Sequence, residues 1–433
     1  MKAGSCELDI TPAVGGEVPG DWLRRITGHV RDPLTVSALA LESQGRRAAL
    51  VSCDILSLKN RIVADLRSRL SAVLNPRYLL LAATHTHTGP PVCNVLGSRS
   101  DETCIKTLTC AIEEAVGIAF DRLQDARVGW ATGPAPGFAF PRRWRMADGT
   151  VQMHPRKDDP NLVEPEGRAD DTLTALGISR PDGSPIALAV NFACHATFVG
   201  AGEFYSADYP GVVRKAAQQI LGEEVATLFL NGPCGDIGND DVTDRSESRY
   251  GEEPMERMGA QLAARACELA AQATMMDDPT LASAHEVIRA AVRAVPQEDL
   301  RAAERWAEGR SLVEVPSTQP EIVFRESLLV EAERRQCPSY DLEIAGLRIG
   351  DGTLLALPGE IFSAIGAEIR AGSPFVHTAL VELANGCYGY VPAAEAFAGG
   401  GYETWLCRSS RLAPATGAQI VRAGRRVLAR LAL

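Results

Sequence analysis

The feature that most constrains this chain is a succession of short, nearly continuous apolar runs, several of them ending in a compact polar cluster. They lie at 34–43, 47–56, 77–86, 126–132, 172–179, 186–195, 225–231, 342–357 and 375–384. A run with almost no polar interruption suits a strand covered on both faces, because neither side meets water. Between them, helical periodicity appears at about 61–74, 103–124, 210–222, 254–273, 297–308 and 416–432. The segment at 210 opens with Asp208-Tyr209-Pro210, which predicts a capping carboxylate and a proline that presets the first turn. Strands alternating with helices place the chain in the α/β class.

Two stretches break this rhythm. Residues 133–170, rich in Pro, Gly, Arg and Asp, read as a long ordered loop, which in a compact domain usually serves a site. Residues 285–340, rich in Arg and Glu with breaks at Pro296, Pro316 and Pro320, read as a helical insertion or a loosely packed face. No internal repeat or low-complexity tract is visible.

Composition narrows the function classes. With 433 residues, 45% hydrophobic and 23% charged, the chain can bury a large core. Its net charge of −11, without a basic block, disfavours nucleic acid and anionic membranes as partners. No apolar run of membrane-spanning length occurs, and the opening MKAGSCELDITPAVGG lacks the core of a secretion signal. Eleven cysteines without a C-x-x-C pair read as reduced, mostly buried thiols, which points to the cytoplasm. A small-molecule substrate is the natural partner, and a homo-oligomer is compatible with the sequence.

The polar clusters carry the chemistry. RYLLLAATHTHTGPP closes on His85 and His87, which share a face if the strand stays extended. Paired imidazoles begin many zinc sites, although two polar residues at a turn would look the same. His195 ends IALAVNFACH; one such histidine is more often hydrogen-bonded core, but the chain has only seven histidines and three of them close apolar runs. Cys194 would face away from it. Glu360, in Leu357-Pro358-Gly359-Glu360, supplies the carboxylate that commonly joins two histidines on catalytic zinc; its plain alternative is a helix-start glutamate. Asp54, Asp208 and Asp236 stand where they could brace the ligands, or act as simple caps and turns. Arg142 and Arg143 in FAFPRRWRMADGT could grip a carboxylate or oxyanion, or form a solvated basic turn.

Taken in order, these pieces resemble the catalytic domain of the neutral/alkaline, non-lysosomal ceramidases and their relatives. The landmarks run nearly end to end: Asp9-Ile10-Thr11-Pro12, Asp32-Pro33-Leu34, Ser52-Cys53-Asp54, THTHTGP at 84–90, His195, Asp208 with Gly211, Asn231 with Gly235-Asp236, Pro358-Gly359-Glu360, and Asn385 to Tyr390. The resemblance implies one catalytic domain over 1–433, α/β with a mixed β-sheet core flanked by helices. It also implies one zinc ion bound by His85, His195, Glu360 and Tyr390, with His87 and Arg142 near the substrate carbonyl and Asp54 and Asp236 in support. The reaction implied is hydrolysis of an amide by zinc-activated water.

Two departures bear on the substrate. The family serine after the Asn-x-Gly-Asp motif is Gly238 here, and the chain stops at 433 without the family's C-terminal immunoglobulin-like domain. Gly238 argues against a serine-dependent step and leaves the zinc-water route open, whereas the missing domain, with the missing secretion signal, argues for a small N-acyl amide over ceramide. A zinc esterase or lactonase, and a metal-binding relative without activity, remain the alternatives.

Overall fold

The computed structural model describes residues 1–246, 248–312, 316 and 318–433, apart from the side chain of Gln319. Three large sheets follow one another along the chain, each built around four strands in the same order; the first gains a fifth, the short strand Gln124–Asp125. In the first, β1 (Lys2–Asp9), β2 (Thr35–Ser43) and β3 (Arg46–Cys53) form an antiparallel meander. Helix α1 (Asn60–Arg69) then carries the chain back, so that β4 (Leu79–Ala83) lies parallel to β3, and α2 (Glu102–Asp121) follows.

The second sheet repeats the scheme with β5 (Arg127–Pro134), β6 (Thr172–Ser179) and β7 (Pro185–Phe192). Helix α3 (Asp208–Leu221) leads to β8 (Ala226–Asn231), parallel to β7, and then to α4 (Glu252–Gln272). The third sheet begins with β9 (Leu281–Ala291). The helices α5 (Gln297–Ala307) and α6 (Gln319–Gln336) intervene before β10 (Ser339–Ile349) and β11 (Gly352–Leu357) complete the meander. Helix α7 (Ser363–Ala371), the parallel strand β12 (His377–Glu382) and α8 (Thr416–Ala432) close the unit.

Strand alternation explains how the units join. On β2, Val36, Ala38 and Ala40 face the cluster that includes α1 and α2, whereas Leu39 and Leu41 face the opposite way. That opposite face belongs to a core shared by all three sheets, where Leu50 and Leu80 meet Leu176 and Leu228 of the second sheet and Leu354 and Val381 of the third. Each sheet therefore packs one face on helices and the other on its two sister sheets. Burial on both faces is why the strands read as continuous apolar runs.

The structure is α/β with mixed sheets, as the sequence predicts, but it differs in several particulars. A repeat of element order exists that the sequence does not display. Residues 285–291 and 339–340 belong to β9 and β10. Pro296 and Pro320 stand at the starts of α5 and α6, where a missing N–H costs nothing. The run 342–357 is a hairpin that turns at Gly350, whose φ is +64°. Residues 133–170 hold a small sheet of Arg143–Met146, Val151–Met153 and Leu162–Pro165. Asp208 opens α3 with φ +55° and is not its cap; its carboxylate accepts from the backbone N–H groups of Val199 and Tyr209. Among the described residues no helix is long and apolar enough to cross a membrane.

Candidate metal centre

The three parallel strand pairs leave the chain at the same end of their sheets, and the polar clusters follow directly. In open α/β sheets that is where ligands gather. His85 and His87 come after β4, His195 after β7, Glu360 after β11, and Tyr390 beyond β12. The segment after β4 is not an extended strand: His85 has φ +70°. The rings of His85 and His87 still meet, with centroids 4.8 Å apart, through this turn and not through strand alternation. Thr86 and Thr88 hold the turn by donating their hydroxyls to the carbonyl of Ser206, at 2.6 and 2.9 Å.

Each imidazole is oriented by a backbone carbonyl. The Nδ1–H of His85 donates to Leu56 O at 2.9 Å, that of His195 to Cys234 O at 2.8 Å, and that of His87 to Gly20 O at 2.8 Å. For the first two, ring and carbonyl come from the ends of neighbouring parallel strands. With Nδ1 committed, the Nε2 atoms carry lone pairs, and these converge: His85 to His195 is 3.1 Å and His85 to His87 is 3.4 Å. The Oε2 of Glu360 lies 3.5 Å from His85 Nε2 and 3.6 Å from His195 Nε2. Lone pairs facing one another at this distance in a buried site repel unless something positive sits among them.

The charge states of the rings follow from the same packing. Burial and the neighbouring His85 and His195 hold His87 well below its ordinary range. Burial, with Arg142 nearby, pushes His195 down to about 3. Burial also acts against charge on His85, but hydrogen bonding and attraction to Glu360 outweigh it and raise that ring. Burial thus favours the neutral form of His87 and His195, the form that can act as a ligand, and three imidazoles with a carboxylate are a donor set suited to a divalent transition metal. The residues present fit a metal ion.

Tyr390 joins this group through the backbone and the phenol. Its strand Tyr390–Val391 pairs in parallel with Glu360–Ile361, and burial, with the Glu360 carboxylate nearby, raises the phenol well above its ordinary range against the pull of Arg142. From the other side the Arg142 guanidinium donates to the phenol oxygen at 3.0 Å and to Gly235 O at 2.9 Å. Arg142 and Arg143 are both buried, so neither is a solvated turn residue. Glu403, fully buried, accepts from both, at 2.8 Å from Arg142 and 2.6 Å from Arg143. Sequence reasoning missed Glu403, since nothing in Gly401-Tyr402-Glu403-Thr404 marks it.

The three aspartates hold backbone and not rings. Asp54 accepts from the Thr35 N–H and from Arg214 at 2.7 Å, and Asp236 accepts from Ser363 N–H and hydroxyl at 2.7 and 2.8 Å. Burial pushes Asp208 and Asp236 up to about 6. Cys194 is buried core, as its predicted direction requires. A further carboxyl, Glu382 at the end of β12, accepts from the N–H groups of Ile361 and Cys234 at 2.7 and 3.1 Å. Burial pushes it up to about 8. It ends an apolar strand like the other clusters, and that signal was available. At Gly238 a Cβ would lie 3.0 Å from His154 Cε1, so the ring of His154 crowds the space a side chain would need.

A cavity of about 390 Å³ opens beside the histidines. His85, His87, Glu360 and Tyr390 line it at one end, and side chains of α6 and of 408–411 line it at another. Its size is that of a small-molecule site.

No protein-family profile and no curated protein sequence matches this chain. Solved structures do. The chain is similar to neutral ceramidase from Pseudomonas aeruginosa, with a TM-score of 0.76 and 19% identity over 99% of this chain and 74% of the other. It is similar to a ceramidase complexed with C2, with a TM-score of 0.76 and 19% identity over 100% of this chain and 75% of that one. The chain therefore has the neutral ceramidase fold.

Proposed function

We propose that this protein is a zinc-dependent hydrolase of amide bonds, acting on a small N-acyl amide. One observation carries the reading: three imidazoles, those of His85 and His195 buried and that of His87 partly so, turn their Nε2 lone pairs toward one another, with Glu360 beside them at the edge of a cavity. The likeness to ceramidases, whose name denotes cleavage of an amide lipid, supports the bond type.

His85, His195 and Glu360 would hold the metal, with Tyr390 as the fourth ligand. Zinc there supplies a Lewis acid that acidifies water and polarises a carbonyl. The chain's own residues do the rest. The carbonyls of Leu56 and Cys234 fix both rings in the tautomer that presents Nε2. His87 shares the cavity and is the group placed to move a proton between water and the departing nitrogen. Arg142, already bonded to Tyr390 and Glu403, positions the phenol and does not reach for substrate. Asp54 and Asp236 hold the strand ends from which the ligands emerge. The free thiols support a reducing compartment, the cytoplasm.

Metal analysis with an amide assay tests this. Wild type should bind about one zinc per chain and release amine from an N-acyl amide, and His195→Ala should lose both. Unchanged zinc content in that variant would refute the ligand assignment, and ester cleavage without amide cleavage would move the bond to an ester or lactone.

A further inference from the structure

We propose that the substrate carries a carboxylate, and that Lys59 receives it; this rests on the hydrolase reading above for the bond cleaved, but not for the binding. The cavity beside the histidines holds three cationic side chains, Lys59, Arg408 and Arg411. Two are already neutralised. Glu326 takes Arg408 in a two-pronged pair at 2.9 and 2.8 Å, and Glu333 lies 3.7 Å from Arg411. Glu326 is shared further, accepting from Arg325 at 2.9 Å.

Lys59 stands apart. It is half-buried at the start of α1, and among the described residues no carboxylate pairs with it. Glu360, the remaining carboxylate of the lining, is committed to the histidines. A ligand that fills the cavity strips water from the ammonium, which then needs a counter-charge or loses its solvation uncompensated. A neutral amide offers none. A two-tailed lipid would add apolar bulk against a wall of ion pairs.

The placement also orients the substrate. Lys59 follows three residues after Leu56, whose carbonyl orients His85. An amide whose carboxylate rests on Lys59 lays its scissile bond toward the histidines. In the hydrolysis, the carbon–nitrogen bond breaks, the oxygen of water bonds to the acyl carbon, and the nitrogen leaves as amine with a proton from that water. N-acyl amino acids are the class that fits.

Calorimetric binding to chelator-treated protein tests the claim without catalysis, with N-benzoylglycine against the neutral N-propylbenzamide. Wild type should bind the anion at least tenfold more tightly, Lys59→Met should erase that difference, and Lys59→Arg should keep part of it. Equal binding of the two probes by wild type, or a preference that survives in Lys59→Met, overturns the proposal. The same probes given to zinc-loaded protein separate the two claims. A carboxylate preference in binding with neither amide cleaved leaves the proposal standing and removes the hydrolase reading. Cleavage of both amides with equal kcat/KM and no binding preference does the reverse.

Discussion

Single side chains decide whether the strand ends make a site or a tangle of buried polar groups. His87 differs from His85 and His195 in being held by the Gly20 loop, outside the three strand pairs. His87→Ala should therefore retain zinc while lowering kcat by about 10²–10⁴-fold, the usual contribution of a positioned acid or base. Zinc loss in that variant, by mass spectrometry, would make His87 a ligand. Glu403 sits between two buried guanidiniums, and Arg143 keeps Glu166 at 2.6 Å when Glu403 is removed, whereas Arg142 keeps no carboxylate. Glu403→Ala should cost about 3–5 kcal/mol by urea unfolding, the penalty of stranding a buried charge. A loss below 1 kcal/mol would show that the pair relaxes into water. His85, His195 and Glu360 were legible in the sequence because each closes an apolar run. Glu403 was not, because its role depends on a fold-back of more than 250 residues that leaves no local pattern.

At the scale of elements, ion clusters tie the units at their seams. Glu343 on β10 accepts from Arg67 on α1 and from His285 on β9. Burial alone would raise Glu343, but those two partners outweigh it and bring it down to about 2 from an ordinary 4.5. A carboxyl depressed on folding stabilises fully above its unfolded value and loses that contribution as pH falls toward its folded value. The stability gap between wild type and Glu343→Gln should thus close as pH falls from 4.5 to about 2. A gap unchanged across that window would dissociate Glu343 from acid stability. Gly238 pairs with Phe140 beneath the site, with His154 against it. Gly238→Ala should cost about 1–3 kcal/mol, as overpacking does, and less in a His154→Ala background. Strands covered on both faces were found from sequence, whereas β1, paired for only two residues on its outer side, and the edge strand β9, both with several part-exposed side chains, were not. The extended face predicted for His85 and His87 also gave way, since the chain turns at His85 to reach the carbonyls of Ile55 and Leu56.

The whole molecule is three sheets of one topology around a common core, and that arrangement explains why the site draws on distant parts of the chain. Each unit sends a parallel pair toward the same end, and each supplies at least one of the proposed ligands: His85 from the first, His195 from the second, Glu360 and Tyr390 from the third. No sequence repeat marks this, because each unit needs only apolar alternation and a crossover helix, which many sequences satisfy. A metal bound among all three units would stabilise the assembled state by mass action, by about 4 kcal/mol at a thousandfold excess over Kd. The most direct measurement is anomalous diffraction at the zinc edge from crystals grown with zinc. It should show one strong peak per chain within coordination distance of the Nε2 atoms of His85 and His195 and of Glu360. A zinc-replete crystal with no peak there, or with its strongest peak elsewhere on the chain, would contradict the account.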